Sequence, residues 1–391
     1  MTIAEMSPDV RLLRESVRRF IDEEVIPVER QLLLDDGSGL RELMHRAKEQ
    51  GLWALGHPEE LGGGGLPFLD YVFINEVIGR SEPAVVALGT HTLQDSLMLY
   101  RHGTSAQKAR WLEPLAAGEI YPAVGLTEPE VAGSDPTLIQ TTAVPDGDEW
   151  VINGHKWFTT WANRAGFVTV FARTDPDAPP HHRTSAIIVP TDAPGFELVR
   201  VIETMGTQAG NHCEIRFDDV RVPADHLLGD RGRGFKIAQE RLGPSRIFHC
   251  MRWLGQAERA FELMCTWSQQ RYAHGSSLAE KGEIQRYIAE SAAQIQAHRL
   301  MTLDAARALD RGGEARVEIA LIKFYGARML HDVIDRAIQV HGAAGVSEDL
   351  PLETMYRHAR YARLYDGPDE VHRMSVARSL ARDPIGAPPW A

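Results

Sequence analysis

Residues 365–370, Tyr-Asp-Gly-Pro-Asp-Glu, place an acidic side chain among residues that form a turn. A carboxylate held there, such as Asp366, can take a proton from carbon, and a site poor in water would raise its pKa toward neutral pH. The run is also typical of a helix start, in which Asp366 or Gly367 is the cap, Pro368 lies in the first turn and the two acidic residues that follow complement the positive helix end. The two interpretations are compatible, because a capped turn also fixes a base.

The composition excludes several classes of protein. The 391 residues are 43% hydrophobic and 25% charged, which is typical of a soluble chain long enough for two or three packed units. The net charge of -12 argues against general nucleic-acid binding, and no apolar stretch is long enough to predict a membrane span. Cys213, Cys250 and Cys265 show no paired spacing, so neither a disulfide framework nor a metal site is predicted. The amino terminus lacks a signal or transit pattern, which predicts a cytoplasmic location.

The first third of the chain is predicted to be helical. Apolar residues recur at helical spacing over about residues 8–117, and Pro27 is expected to end the first helix. Three later segments, about residues 237–265, 284–309 and 317–340, show long helical periodicity and predict a bundle.

The segment between these helical parts is predicted to be a β-domain. Asn153-Gly154 follows two β-branched residues and predicts a hairpin turn. Cys213, Ile215 and Phe217 alternate with polar residues, as in a strand with one buried face. The predicted fold class is therefore α+β, with a helical domain at residues 1–121, a barrel-like β-domain at 122–227 and a helical bundle at 228–391.

These motifs, in this order, resemble the acyl-CoA dehydrogenase family over about residues 8–383. The stretches that carry the resemblance are residues 124–129 (VGLTEP) with 133–135 (GSD), residues 153–160 (NGHKWFTT) and the Asp366 run, where the family usually has glutamate at the position of Asp366. One extra residue between Pro129 and Gly133 resembles the subgroup whose mammalian members carry a kinase-like module ahead of the dehydrogenase. The resemblance implies an enzyme that uses FAD to oxidise an acyl-CoA thioester between its α and β carbons.

The resemblance also implies which residues contact FAD. Leu126 and Thr127 would face the edge of the flavin ring, Phe158 would cover the ring where most relatives have tryptophan, and Thr160 would face N5. Arg271 and the loop that begins at Gln339 match residues that reach the flavin of a neighbouring subunit, which implies a homodimer or homotetramer. The full set of implied cofactor-binding residues is Leu126, Thr127, Gly133, Ser134, Phe158, Thr160, Arg271, Gln339, Gly342, Ala343 and Glu370.

The same resemblance implies the substrate site and the electron acceptor. Ser245 stands where a minority of the family places its catalytic glutamate, so Asp366 is the aligned base. Aspartate is one methylene shorter than glutamate, which draws the carboxylate back by roughly 1.5 Å. The implied acceptor is an electron-transferring flavoprotein. The implied substrate-binding residues are Ser134, Arg246, Tyr365, Gly367 and Arg373.

Basic residues are concentrated around these positions. Arg246, His249 and Arg252 recur every three residues, and a second group consists of Arg357, His358, Arg360 and Arg363. An acyl chain that carries a hydroxyl or phosphate, such as a 4-hydroxyacyl-CoA or its 4-phosphorylated form, would gain charge-assisted hydrogen bonds from them. Binding of the CoA phosphates, salt bridges between subunits and a solvated face are the alternatives.

Two other functions fit parts of the sequence. Nitroalkane oxidases resemble this family and also have an aspartate followed seven residues later by an arginine, as Asp366 and Arg373 are. Reactivity of the reduced flavin with oxygen discriminates such an oxidase or monooxygenase from a dehydrogenase. A flavin-binding assembly protein without chemistry is the third hypothesis, and the presence of Asp366 argues against it.

Overall fold

The computed structural model describes residues 6–32, 37–205 and 211–382. The chain divides into two compact units. The helical unit consists of the described parts of Met1–Leu52, Leu66–Leu88 and Gly243–Ala391, and the mixed unit consists of the described parts of Trp53–Gly65 and Gly89–Leu242.

Helices dominate both ends of the chain and strands its middle. The helices are α1 (Pro8–Phe20), α2 (Glu29–Leu32), α3 (Ser38–Glu49), α4 (Phe68–Ile78), α5 (Glu82–Ala87), α6 (Leu93–His102), α7 (Ser105–Gln107), α8 (Glu113–Ala116), α9 (Gly234–Gln270), α10 (Gly282–Asp310), α11 (Arg316–His341), α12 (Leu352–Tyr361) and α13 (Asp369–Arg382). The strands are β1 (Tyr121–Gly125), β2 (Thr142–Asp146), β3 (Glu149–Thr160), β4 (Ala165–Arg173), β5 (Thr184–Pro190), β6 (Phe196–Val201), β7 (His212–Pro223), β8 (Leu227–Leu228), β9 (Tyr272–Ala273) and β10 (Ser276–Ser277). The predicted α+β order, helical, then β, then helical, is confirmed, while the three domain boundaries stay predictions.

The first helix ends earlier than predicted. The Ser7 hydroxyl accepts a hydrogen bond from the Val10 amide at 3.2 Å and caps α1, whose α-helical pattern stops at Phe20. The chain continues as a π turn and a 3₁₀ turn, and Pro27 lies in the 3₁₀ turn. The prediction that Pro27 ends the first helix was wrong. Proline has no N–H for an α-helical hydrogen bond, and the chain passes through it in a tighter turn instead.

Close helix crossings build the helical unit. A Cβ atom on Gly255 of α9 would lie 2.0 Å from the Glu76 carbonyl of α4, and one on Gly326 of α11 would lie 2.2 Å from the His298 ring of α10. Real side chains do not tolerate such distances, so the backbones approach where only glycine fits. These crossings fix α4 against α9 and α10 against α11.

The sheet of the mixed unit is buried on both faces. Its strand order is β6-β7-β3-β2-β4-β5-β8, with β1 parallel to β4. On β4, Val168 and Val170 belong to one buried cluster, whereas Phe167 and Phe171 belong to another that includes residues of α6 and α8. A strand buried on both faces has a nearly continuous apolar sequence, as β4 has.

Asn153-Gly154 does not form the predicted hairpin turn. Both residues lie inside β3, and the turn between β2 and β3 lies at Gly147, which has φ +61°. The pairing of β3 with β7 shifts register between Ile152 and Gly154, and a Cβ atom on Gly154 would lie 2.3 Å from Thr141 Oγ1. Glycine is therefore required at position 154 by a β-bulge and by the close approach of Thr141. An Asn-Gly pair can arise for these reasons as well as in a hairpin turn.

Within the described residues, the helices lack the long apolar stretch that a transmembrane span requires.

Candidate active site

The turn that carries Asp366 is built from left-handed backbone. Asp366 has φ +54° and Gly367 has φ +97°. Aspartate tolerates this region better than most residues, and glycine has no steric penalty there. The Asp366 carbonyl accepts a hydrogen bond from Nε of Arg246 at 2.9 Å, and His372 Nε2 lies 3.2 Å from the same oxygen. The main chain of the turn is thus held from α9 and from α13.

A buried lysine holds the segment before the turn. Lys323 is fully buried, and its Nζ donates to the carbonyls of Ala362 at 2.9 Å and Tyr365 at 2.7 Å. The same ammonium lies 5.0 Å from the Trp253 ring and 4.9 Å from the Tyr365 ring. Trp253 Nε1 also donates to the Tyr365 hydroxyl at 2.8 Å. Cation–π contacts and hydrogen bonds together offset the cost of burying the charge.

The Asp366 carboxylate faces a histidine. His249 Nε2 lies 3.1 Å from Oδ2, and the side chains of His249 and Asp366 are 24% and 20% exposed. The separation is within hydrogen-bond range although the alignment is imperfect. The carboxylate is therefore fixed by its surroundings and still accessible to a small molecule.

The expected rise in the pKa of Asp366 is wrong. Burial opposes ionisation, as predicted, but the contact with His249 and the charges of Arg246 and Lys323 outweigh burial and hold the pKa of Asp366 well below its usual range. Burial and Arg252 lower the pKa of His249, so we assign His249 as a neutral donor and the stabilising charge to Arg246 and Lys323. Arg246 was predicted to lie near this site, whereas the sequence did not indicate that Lys323 of α11 also lies against the turn.

The helix after the turn begins later than predicted. The first residue of α13 is Asp369, so Pro368 precedes the helix and neither Asp366 nor Gly367 is its cap. Asp369 Oδ2 accepts a hydrogen bond from Arg363 Nε at 2.9 Å and lies 3.4 Å from an Nη atom of Arg373. In the described contacts, Arg373 therefore pairs with Asp369 rather than with Asp366.

Several of the clustered basic residues are paired with protein groups. Arg252 donates to Asn75 Oδ1 at 3.1 Å and to His249 Nδ1 at 2.8 Å. Arg357 pairs with Glu353 on α12. Much of the positive charge therefore organises the helical unit itself.

In the mixed unit, the two predicted flavin segments are adjacent. The Trp157 amide donates to the Thr127 carbonyl at 3.1 Å. Buried Lys156 donates to the Leu126 carbonyl at 3.1 Å and to Glu128 Oε1 at 2.8 Å. The start of one segment is thereby fixed to the end of β3.

The side chains predicted to contact the ring lie at the end of β3. Phe158 is 44% exposed and has φ +50°, which is unusual for an aromatic residue. Thr160 Oγ1 lies 3.0 Å from His212 Nδ1. Gly133 is exposed, as is Ser134, and a Cβ atom on Gly133 would lie 2.8 Å from Thr127 Cγ2. The structure brings Leu126, Thr127, Gly133, Phe158 and Thr160 together in this unit.

The remaining predicted cofactor residues lie on the helical unit in two places. Arg271 lies over the Trp267 ring at 5.8 Å, and Trp267 stacks on His341 at 5.2 Å, next to the predicted loop. Glu370 is separate from this patch, on α13, with its side chain 74% exposed. The exposed residues of this predicted loop are Gln339, which lies in the last turn of α11, and Gly342 and Ala343 after it.

Two functional candidates, Lys323 and Lys156, were not singled out in the sequence. Lys323 follows Ile319 and Ala320 at helical spacing and precedes Ala327, so it occupies the apolar face of α11. A lysine on such a face is a detectable signal for a buried charge. Lys156 lies between His155 and Trp157 on β3, without a comparable signal.

Comparison with known proteins identifies the family. Profiles described as acyl-CoA dehydrogenase N-terminal, middle and C-terminal domain match residues 7–119, 123–220 and 232–381. The chain belongs to the acyl-CoA dehydrogenase family and is an oxidoreductase.

The relatives found by sequence and structure comparison align with most of this chain. Probable acyl-CoA dehydrogenase FadE2 of Mycobacterium tuberculosis is 46% identical over 88% of this chain and 86% of its own length. Acyl-CoA dehydrogenase family member 10 of Mus musculus is 41% identical over 95% of this chain, which spans only 37% of that longer protein. The structure of butyryl-CoA dehydrogenase from Megasphaera elsdenii is 29% identical, with a TM-score of 0.87 over 97% of this chain and 99% of that one.

Proposed function

We propose that this protein is an FAD-dependent acyl-CoA dehydrogenase in which Asp366 removes the α-proton of the thioester. The observation that carries the proposal is the Asp366 side chain, which is one-fifth exposed and lies in a turn whose carbonyls accept hydrogen bonds from Arg246 and Lys323. Membership of the family supports the reaction class.

The residues of the mixed unit fit a flavin. An exposed aromatic in left-handed backbone, Phe158, has no role in the core of the unit, and the neighbouring Trp157 amide is bonded to Thr127 of the other segment. Strained residues of this kind cluster at active sites and ligand-binding segments. FAD, when bound, accepts the β-hydrogen with its electron pair as hydride. Leu126, Thr127, Phe158 and Thr160 would hold the ring.

Asp366 must act as a base although its lowered pKa makes it a weak base in the free protein. Its lowered pKa keeps it ionised throughout the neutral range, so no proton has to leave before substrate binds. A base is most effective when its pKa is near the working pH, and exclusion of water by the acyl thioester would raise the pKa of Asp366 toward that value. A backbone amide beside Asp366 would stabilise the developing enolate oxygen.

The finer substrate proposal is an acyl chain with a hydroxyl or phosphate at C4. Arg246 uses only Nε in hydrogen bonds with other described residues, so its two amino groups are available to a substituent near Asp366. The enzyme would act as a homodimer or homotetramer and transfer electrons to an electron-transferring flavoprotein.

Asp366→Asn tests the base. We expect the variant to fold and bind FAD but to reduce its flavin with acyl-CoA roughly 10² to 10⁴ times more slowly, which is the usual contribution of a positioned base. Stopped-flow absorbance measures the rate, and Asp349→Asn, at an exposed turn of the same unit, is the matched control. An unchanged rate in Asp366→Asn would rule out Asp366, and Asp369→Asn would then be tested.

Three thioesters of equal chain length test the substrate. The 4-hydroxyacyl-CoA and its 4-phosphorylated form are expected to show higher kcat/KM than the plain acyl-CoA, by about 10²-fold if two charge-assisted hydrogen bonds form. Arg246→Ala is expected to remove this preference, and the ratio of kcat/KM values separates that loss from any general loss of activity. A preference for the plain chain would contradict the substrate proposal and leave the reaction class intact.

A further inference from the structure

We infer that His249 is a positioning residue, which holds the Asp366 carboxylate through a neutral imidazole whose tautomer Arg252 and Asn75 set. The contact itself is independent of the reaction, whereas its effect on catalysis rests on the proposed function. The inference starts from the chain of contacts Asn75, Arg252, His249 and Asp366 on α4, α9 and the turn before α13.

The hydrogen-bonding properties of the groups fix the tautomer. A guanidinium has donors only, so the 2.8 Å contact between Arg252 and His249 requires that Nδ1 of His249 accept. The ring proton of the neutral imidazole is then on Nε2, the nitrogen 3.1 Å from Asp366 Oδ2. Arg252 is anchored in turn by Asn75, which is fully buried on α4.

The surrounding charges favour the neutral ring. Burial, Arg252 and Lys323 all disfavour a positive charge on His249, and only Asp366 favours it. The titratable and charged groups that interact with this pair are Arg246, Cys250 and Arg252 on α9, Lys323 on α11, Tyr365 before the turn and His372 on α13. His249 thus orients the Asp366 carboxylate as a neutral dipole. It adds no full positive charge, which would lower the pKa of Asp366 further.

Two variants separate positioning from packing. Glutamine at position 249 can accept from Arg252 with Oε1 and donate to Asp366 with Nε2, whereas phenylalanine fills similar space and does neither. We expect His249→Phe to slow flavin reduction by about tenfold with acyl-CoA affinity little changed, and His249→Gln to stay within about threefold of the wild type. The acid limb of the rate profile should move to higher pH in His249→Phe, because loss of the polar contact with His249 raises the pKa of Asp366. The control is His45→Gln, at an exposed ion pair on α3.

The tautomer is tested without the reaction. In protein labelled with ¹⁵N at histidine, the His249 ring, assigned by its loss in His249→Gln, should show a protonated Nε2 and an unprotonated Nδ1 from pH 6 to 8. Arg252→Met should alter this pattern. A ring that is protonated on Nδ1, or equal slowing in the Phe and Gln variants, overturns the inference. If Asp366 is not the base, Asp366→Asn keeps its rate while the tautomer result still reports on the contact.

Discussion

At the residue scale, the position of the turn and the pKa of the Asp366 carboxylate depend on cations that contact main-chain oxygens. Lys323 and Arg246 donate to the carbonyls of Tyr365 and Asp366, and neither forms a hydrogen bond with the Asp366 carboxylate among the described contacts. A cation in that position holds the backbone and also lowers the pKa of the carboxylate through space. Each of these two cations thereby affects both the position of Asp366 and the pKa of its carboxylate.

Lys323→Met is expected to loosen the turn and weaken the fold. The carbonyls of Ala362 and Tyr365 would lose their buried donor, at a cost of about 1 to 3 kcal/mol each unless water enters. Denaturant unfolding measures the loss, and Lys236→Met, whose side chain is 67% exposed, should change the free energy of unfolding by less than about 0.5 kcal/mol. Equal effects in the two variants would mean that Lys323 does not hold the turn.

At the element scale, one buried ion pair connects the strands that carry the predicted flavin residues. Lys156 on β3 donates to Glu128 beyond β1 and to the Phe171 carbonyl on β4 at 2.9 Å, and Glu128 accepts from the Thr141 amide at 2.8 Å before β2. Burial lowers the pKa of Lys156 to about 8, and Glu128 partly opposes this effect. The pair costs desolvation but determines how these segments meet.

Removing one partner of this pair should cost more than removing both charges. Lys156→Met leaves Glu128 buried and uncompensated, which we expect to destabilise the protein by about 3 to 5 kcal/mol. The double variant Lys156→Met with Glu128→Gln should recover part of that loss, because no buried charge remains. A double-variant cycle by denaturant unfolding measures the coupling, and additive losses would show that the pair is not coupled.

At the scale of the whole molecule, the surface around Arg271 is relevant to the predicted association of subunits. Arg271, Trp267 and His341 form a stack beside exposed Gln339 and Gly342, so residues distant in sequence share one surface of the helical unit. Such a surface suits the predicted contact with a neighbour's cofactor.

We expect the purified protein to be yellow, with about one FAD per chain, and to run as a dimer or tetramer. Absorbance and light scattering measure both properties. Arg271→Ala should lower the retained FAD, whereas Arg286→Ala, at an exposed arginine paired with Glu283 and Glu290, should not. A flavin-loaded monomer, or equal retention in both variants, would contradict a role for Arg271 across an interface.

The sequence by itself determined the order of elements, the family and the turn that carries Asp366. Long helices show their periodicity over many turns, and the alternation of Cys213, Ile215 and Phe217 predicts β7, because these patterns depend on local geometry. Predictions from local patterns were wrong where the same short sequence pattern is compatible with more than one local structure. Asn153-Gly154 fits a hairpin and a bulge equally, and Pro27 lies in a 3₁₀ turn after which the chain continues as the short helix α2.

Only the tertiary structure decided the electrostatics of the site. The pKa of Asp366 depends on Arg246, Lys323 and His249, which lie 43 to 120 positions away in sequence and reach the turn through the packing of α9 and α11. Arg252 was predicted as a basic residue near the substrate, but its direction toward His249 and Asn75 follows from the close approach of α4 and α9 at glycine. The energy of two charges varies with their separation and burial, and a one-dimensional pattern specifies neither.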